Sequence, residues 1–366
     1  MRISLPALLC MIAAVAGPLS GAERSVNSVE VFISGQDGYH TYRIPAIIQT
    51  RKGTLLAFCE GRKDSARDWG DIDLLVKRSH DGGRTWSRAI TVADFGTDTI
   101  GNPAPVVDRR TGTVWLLLTR NPGDIQEKRI LPGLTGHTRT VWVTHSKDDG
   151  LTWAPPKDIT ASVKLPDWSW YATGPVNGIQ LRTGRMIIPC DHNRGATERY
   201  SHVIYSDDGG ATWKLGGSAG PNCNESTIVE LGDGSLMLNM RSYHGKNRRA
   251  VSISRDGGLT WSEPKLDETL VEPVCQASLI RAGKGKKAVL LFSNPANVKR
   301  VNMTVRLSRD EGKTWIQSKT IHAGPTAYSN LIELKGNQIG LLYERGDKNP
   351  YERITFARFP LQWLSK

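Results

Sequence analysis

The sequence predicts an all-β fold, and three observations carry that expectation. The motif S-x-D-x-G-x-T-W occurs five times without a mismatch, beginning at Ser79, Ser146, Ser206, Ser254 and Ser308. Between the copies the chain reads as pairs of short apolar strands joined by turns such as Lys52-Gly53. Composition agrees, because 37 Gly, 19 Pro and 11 Trp in 366 residues suit a turn-rich chain and disfavour a helical bundle.

The elements follow in order. Met1-Arg2, the apolar run Ile3 to Leu19 and the small residues Ser20-Gly21-Ala22 have the form of a cleavable secretory signal, so residues 1–22 are expected to direct export and be removed. Residues 23–366 then form one domain. Val29 to Ser34 reads as a lone strand. Tyr42 to Gln49 with Thr54 to Glu60 is a hairpin, Asp71 to Arg78 a third strand ending in the first motif, and Arg88 to Ala93 a fourth. The unit recurs as 103–119 with 139–145, 175–190 with 201–205, 226–240 with 249–253, and 276–292 with 302–307. A last hairpin, Tyr328 to Tyr343, is followed by Arg353 to Phe359 alone, without a motif or a fourth strand. The lone N-terminal strand fills that gap and removes the open edges. The expected architecture is therefore a six-bladed β-propeller of four-stranded antiparallel blades, closed by the N-terminal strand.

The motif itself is architectural. Its Asp caps backbone amides of its own turn, its Gly takes a positive φ, and its Trp packs beneath. Copies separated by 48 to 67 residues mark repeated units and do not make one site.

Charge and cysteine content exclude several functions. Lys and Arg number 48 and Asp and Glu 36, a net charge of +12. The basic residues are spread along the chain with no basic block interleaved with aromatics, so nucleic acid is not the expected partner. After the leader, no stretch approaches the ~20 apolar residues that span a bilayer, and no transmembrane segment is expected. The four remaining cysteines, Cys59, Cys190, Cys223 and Cys275, could pair in an exported protein. Their apolar flanks favour buried free thiols instead. No ligand-spaced His or Cys group suggests a metal, and no cofactor is expected.

In such blades the start of strand one, the end of strand two and the start of strand three share one end, and the motif turn lies at the other. The first end collects Arg43, Arg62, Asp68, Asp191, His192, Glu225, Arg241, Arg300, Tyr328 and Glu344. Arginines gathered near one axis need acids or a bound anion to balance them, and their planar donors suit a carboxylate gripped by paired bonds. The expected ligand is an anionic small molecule.

Five boxes together with Y-R-I-P at 42–45, E-G-R at 60–62 and A-Y-S at 327–329 resemble the secreted bacterial exo-α-sialidases, over about Tyr42 to Phe359. The resemblance implies an enzyme that releases terminal sialic acid from glycans with retention. Arg43, Arg241 and Arg300 would grip the substrate carboxylate; Arg306 alternates onto the same side of its strand, but Arg300 sits at the correct end. Tyr328 would be the nucleophile and Glu225 its base. A phenol suits this substrate because an anionic Asp or Glu would be repelled by the carboxylate on the anomeric carbon. Asp68 would be the acid and base, with Asp64, Asp71 and Asp73 as competitors. Glu344 would orient Arg43, and Arg62 would contact the ring 4-hydroxyl. Asn102 stands where many relatives carry Asp in an Asp-Pro pair, and it lacks the charge to balance Arg62. Asp191 and His192 would line the pocket near the acyl or glycerol substituents, with a satisfied structural role open for the histidine. Trp69, Trp168 and Trp170 are candidates on exposed loops for stacking on a sugar. A transferase acting on the same sugar, or a non-catalytic sialoglycan-binding propeller, would share many of these residues.

Overall fold

A computed structural model describes residues 26–195 and 197–365, with the side chains of residues 286 and 365 excepted; the expected leader, 1–22, lies outside them. The described chain is all-β apart from single helical turns. Strands Thr41–Gln49, Leu55–Arg62, Ile72–Ser79 and Ile90–Ala93 pair antiparallel in sequence order. The next unit, Thr99–Val107, Val114–Asn121, Thr140–Ser146 and Lys157–Asp158, repeats that order. So does Cys223–Glu230, Leu236–Ser242, Arg248–Ser254 and Lys265–Val271.

Two units depart from the simple pattern. Where the sequence suggests one hairpin from 175, two short strands, Trp168–Thr173 and Ile179–Gln180, both lie against Met186–Arg194. The chain turns between them at Gly174-Pro175, so alternation across 175–180 is broken. The other departure is Gln317–Leu334, a single long strand. Its first half pairs with Val301–Ser308 and its second with Gln338–Arg345. Beyond Arg353–Pro360 lies Asn27–Ile33, antiparallel to it, so the N-terminal strand is the outer strand of the last unit.

The apolar core lies between neighbouring units. Ala46, Phe58 and Val76 meet Ile100, Leu116 and Leu118 of the following unit. Similarly, Tyr42, Leu55 and Cys59 of the first unit meet Leu342, Ile354 and Phe356 of the last. All four cysteines are free and buried within this packing.

The five boxes fold alike and join each unit to a neighbouring one. In the copy at Ser254, the serine Oγ donates to Asp256 Oδ1 at 2.8 Å and accepts from the Gly258 amide at 2.9 Å. Asp256 also accepts from the Thr260 amide at 3.0 Å and from its hydroxyl at 2.5 Å. The tryptophans wedge against a neighbouring unit: Trp153 meets Phe58 of the first unit edge-on at 5.7 Å, and Trp86 of the first unit meets Phe356 of the last at 5.6 Å. Glycine is needed in the turn for two reasons. At Gly210 φ is +94°, and a Cβ there would fall inside the Trp115 indole of the preceding unit.

Gly210→Ala therefore combines backbone strain with overpacking and is expected to lower stability by about 2 to 5 kcal/mol. Asp208→Ala loses only a cap, about 1 kcal/mol. Urea unfolding followed by tryptophan fluorescence ranks the two, and equal losses would contradict the close approach.

Candidate active site

At the end opposite the boxes, the first strands of five units break register, and there two residues oppose one. Ile44-Pro45, Asn102-Pro103 and Ser169-Trp170 are extra in their strands. Asn224-Glu225 stands against Arg241, and Ala327-Tyr328 against Glu344. Bulges of this kind bend a strand and re-aim its side chains. Here they turn Asn102, Trp170, Asn224, Glu225 and Tyr328 into a common cavity of about 170 Å³.

At its base Tyr328, which is buried, donates from Oη to Glu225 Oε1 at 2.5 Å. Arg241 Nη1 donates to Glu225 Oε2 at 2.8 Å and to Tyr328 Oη at 3.2 Å. Burial and the Glu225 charge push the Tyr328 phenol well above its ordinary value, with Arg241 and Arg300 pulling the other way. These influences favour the protonated phenol in the free protein.

Three guanidiniums surround the ring. Arg43 lies 5.2 Å and Arg300 5.6 Å from the Tyr328 centroid. Arg43 also stacks on Tyr351 at 3.9 Å, and Arg300 Nη1 donates to the Tyr351 hydroxyl at 2.8 Å. Arg306 instead donates to Asn294 at 3.0 Å and is not among the cavity walls. Glu344 is fully buried behind the wall. It accepts from Arg43 Nε at 2.7 Å, the Ile44 amide at 2.9 Å and the Tyr328 amide at 3.0 Å. Ile44 sits at φ 61°, a costly conformation for a β-branched residue that these bonds hold in place.

The opposite wall carries Arg62, whose Nη2 meets Glu60 at 2.7 Å and Nη1 meets Asp68 at 2.8 Å. Asp68 also reaches Arg43 at 3.6 Å while its side chain remains 68% exposed at the mouth. Partial loss of water pushes its carboxyl up, but Arg62 and Arg43 outweigh that and hold it below its ordinary value. Of the competing acids, Asp71 and Asp73 are held by Lys63 at 2.8 and 3.2 Å and lie off the cavity. Glu60 supplies the charge that Asn102 lacks beside Arg62.

The sequence missed Arg139, which is buried and lines the cavity. It donates to Thr119 at 3.0 Å and to the side-chain oxygens of Asn121 and Asn102 at 2.5 Å each, and it stacks on Trp170 at 4.3 Å. Burial lowers its pKa to about 10, while Glu60 and Glu127 act against the change. Tyr243 and Tyr351 were missed as well. Arg139 immediately precedes a third strand, close to the position by which the other residues were sorted, so that rule could have found it.

Two expected wall residues stand elsewhere. His192 does not line the cavity: it stacks on Trp168 at 3.4 Å and shares a 3.0 Å contact with His202. Burial drives both rings far below the ordinary histidine value, so they stay neutral. Trp168 is buried and not on an exposed loop, because the bulge after it turns it inward. Asp191 is buried too, and its carboxylate accepts from Trp170 Nε1 at 3.0 Å and Asn224 Nδ2 at 2.7 Å, two residues of the wall.

The BNR repeat-like domain family matches residues 53–341. A sialidase of Bacteroides fragilis is 35% identical over 91% of this chain, which spans 64% of that protein's length. An exo-alpha-sialidase of Aspergillus fumigatus is 33% identical, with 89% of this chain and 86% of that protein covered. Among solved structures, a Hadza microbial sialidase superposes with a TM-score of 0.84 at 33% identity, over 90% of this chain and 68% of that one.

Removing the Glu344 carboxylate would leave Arg43 buried without its partner and release the Ile44 bulge. Glu344→Ala is expected to cost about 3 to 5 kcal/mol in urea unfolding. A loss below about 1 kcal/mol would mean that Arg43 finds other support.

Proposed function

The chain belongs to the sialidase family built on BNR repeats, and from that premise we propose that it is a retaining exo-α-sialidase acting on terminal sialic acids of glycoproteins, glycolipids or oligosaccharides. The observation that carries this reading is the contact of Tyr328, Glu225 and Arg241 at 2.5, 2.8 and 3.2 Å, next to the Arg43 and Arg300 guanidiniums.

In this reading Arg43, Arg241 and Arg300 bind the carboxylate of the substrate and present the anomeric carbon to Tyr328 Oη. The phenol attacks that carbon and its proton passes to Glu225, while Asp68 gives a proton to the departing glycosidic oxygen. A covalent sialyl-tyrosine results. Asp68, now a carboxylate, takes a proton from water as the water attacks the same carbon. Tyr328 leaves and recovers its proton from Glu225. The nucleophile is neutral at rest, so it meets no repulsion from the carboxylate beside the reacting carbon. Substrate that displaces water and pairs with Arg43 would weaken the hold on Asp68 and let it take up its proton. Glu344 acts through Arg43 and Tyr328, and Arg62 with Asn102 faces the ring.

The architecture proposed with it is a six-bladed propeller over residues 23–366, with Asn27–Ile33 completing the last blade. The apolar cluster shared by the first and last units supports that closure. The leader implies an exported enzyme, periplasmic or extracellular.

Release of a fluorescent phenol from an α-linked sialoside tests the reading. Wild-type turnover is expected, and Tyr328→Phe should reduce kcat by at least about 10³-fold. Tight binding of sialic acid without turnover would make the protein a sialoglycan-binding propeller. Product linked to an added sugar acceptor in place of free sialic acid would make it a transferase.

A second expectation concerns pH. Asp68 is held below its ordinary value in the free protein, so its protonated fraction falls steadily as pH rises from 4 to 7. For a poor alkyl leaving group, kcat/KM should fall by up to about tenfold per pH unit across that range. An aryl leaving group, which needs less protonation, should give a flatter profile. Identical profiles for both would remove Asp68 from the acid role.

A further inference from the structure

A second, larger cavity of about 820 Å³ adjoins the first, and Asp68 and Glu127 belong to the walls of both. If Asp68 protonates the departing oxygen, the departing sugar leaves along the Asp68 wall and meets this second cavity. We propose that the cavity is a leaving-group subsite for an acidic sugar, so that the favoured substrates carry a second anionic residue beside the one released. The proposal rests on the glycosidase reading above and adds to it the class of leaving group.

Three cations line the subsite: Arg67, Lys128 and Arg199. Among the described residues none of them forms an ion pair with a carboxylate. Arg67 packs over Trp69 at 5.0 Å, and Arg199 over Tyr243 at 4.5 Å. Both guanidiniums are therefore propped on aromatic faces with their charge uncompensated. Asn193 and Ser169, both more than nine-tenths buried, line the same cavity, so its walls are polar as well as cationic.

The two acids in the walls do not cancel the cations. Asp68 is paired with Arg62 and Arg43 in the free protein and, in the mechanism above, carries its proton while intact substrate is bound, leaving Glu127 against three positive charges in the complex that selects the substrate. A neutral sugar would find a polar recess here, and an acidic one would find a recess with the complementary charge.

The test compares kcat/KM for α2,8-linked disialic acid, for sialyllactose with its neutral leaving group, and for a sialoside whose neighbouring sugar bears a sulfate ester. Wild-type protein is set beside the Arg67→Ala/Lys128→Ala/Arg199→Ala variant. Acidic leaving groups should be favoured about tenfold at low ionic strength, as expected for a few partly exposed charge pairs acting together. That ratio should fall toward one in the variant, and in the wild type at about 0.5 M salt. The salt titration stands even if the variant folds poorly. Preference for the disialyl substrate alone assigns the recess to a carboxylate, and preference for the sulfated substrate alone assigns it to sulfate; either sustains the subsite. Equal rates on acidic and neutral leaving groups, or a preference indifferent to both substitution and salt, would overturn it while leaving the glycosidase reading intact. No release from any of the three would overturn both.

Discussion

The Glu344 carboxylate is the contact on which the site depends. Its two oxygens join Arg43, the strained Ile44 amide and the Tyr328 amide, which lie on the first strands of the first and last units. A guanidinium as buried as Arg43 persists only beside a compensating charge, and a β-branched residue at positive φ only where neighbours over-determine it. Because one carboxylate meets both needs, the position of an arginine and the backbone of the phenol are set together.

The two ends of the molecule divide the work. At one end the boxes turn the chain sharply, bury a tryptophan against a neighbouring unit and, at Gly83 and Gly210, leave no room for a side chain. The packing there is repetitive and tolerates no chemistry. At the other end the same kind of strand is interrupted by bulges, and each places two residues opposite one. The bulges break the alternation that a regular strand would impose. They let Glu225 face Tyr328 from a different unit, and they bring Asn102 and Trp170 to the same cavity. Without that rigid lower packing, the cost of holding several arginines near one another would fall on the site itself.

Much of this was legible in the sequence, and the rest was hidden for physical reasons. The box repeat and the hairpin pattern located most strands within a few residues, because turn chemistry and period-two alternation are local signals. Sorting residues by strand end brought together Arg43, Arg62, Asp68, Glu225, Arg241, Arg300 and Tyr328, all of which line one cavity. Where a bulge intervened, that reasoning weakened. Trp168 was expected on an exposed loop, and His192 either in the pocket wall or in a satisfied structural role, yet the register shift after Trp168 buries the two against each other. Tyr351 lies in a loop, where no periodicity reports its direction. The pairing of Glu60 with Arg62 could not be read either, since both lie in one strand two residues apart and only the fold shows that their side chains meet.

The central claim is that Tyr328 forms a bond to the substrate, and chemical trapping tests it most directly. A sialosyl fluoride carrying a second fluorine beside the anomeric carbon should react once and hydrolyse slowly, because the extra fluorine disfavours positive charge in the transition state. Mass spectrometry of the digested protein is expected to find one sialyl adduct, on the peptide containing Tyr328. An adduct on Glu225 or Asp68, or turnover of ordinary substrate with no adduct on any residue, would contradict the account.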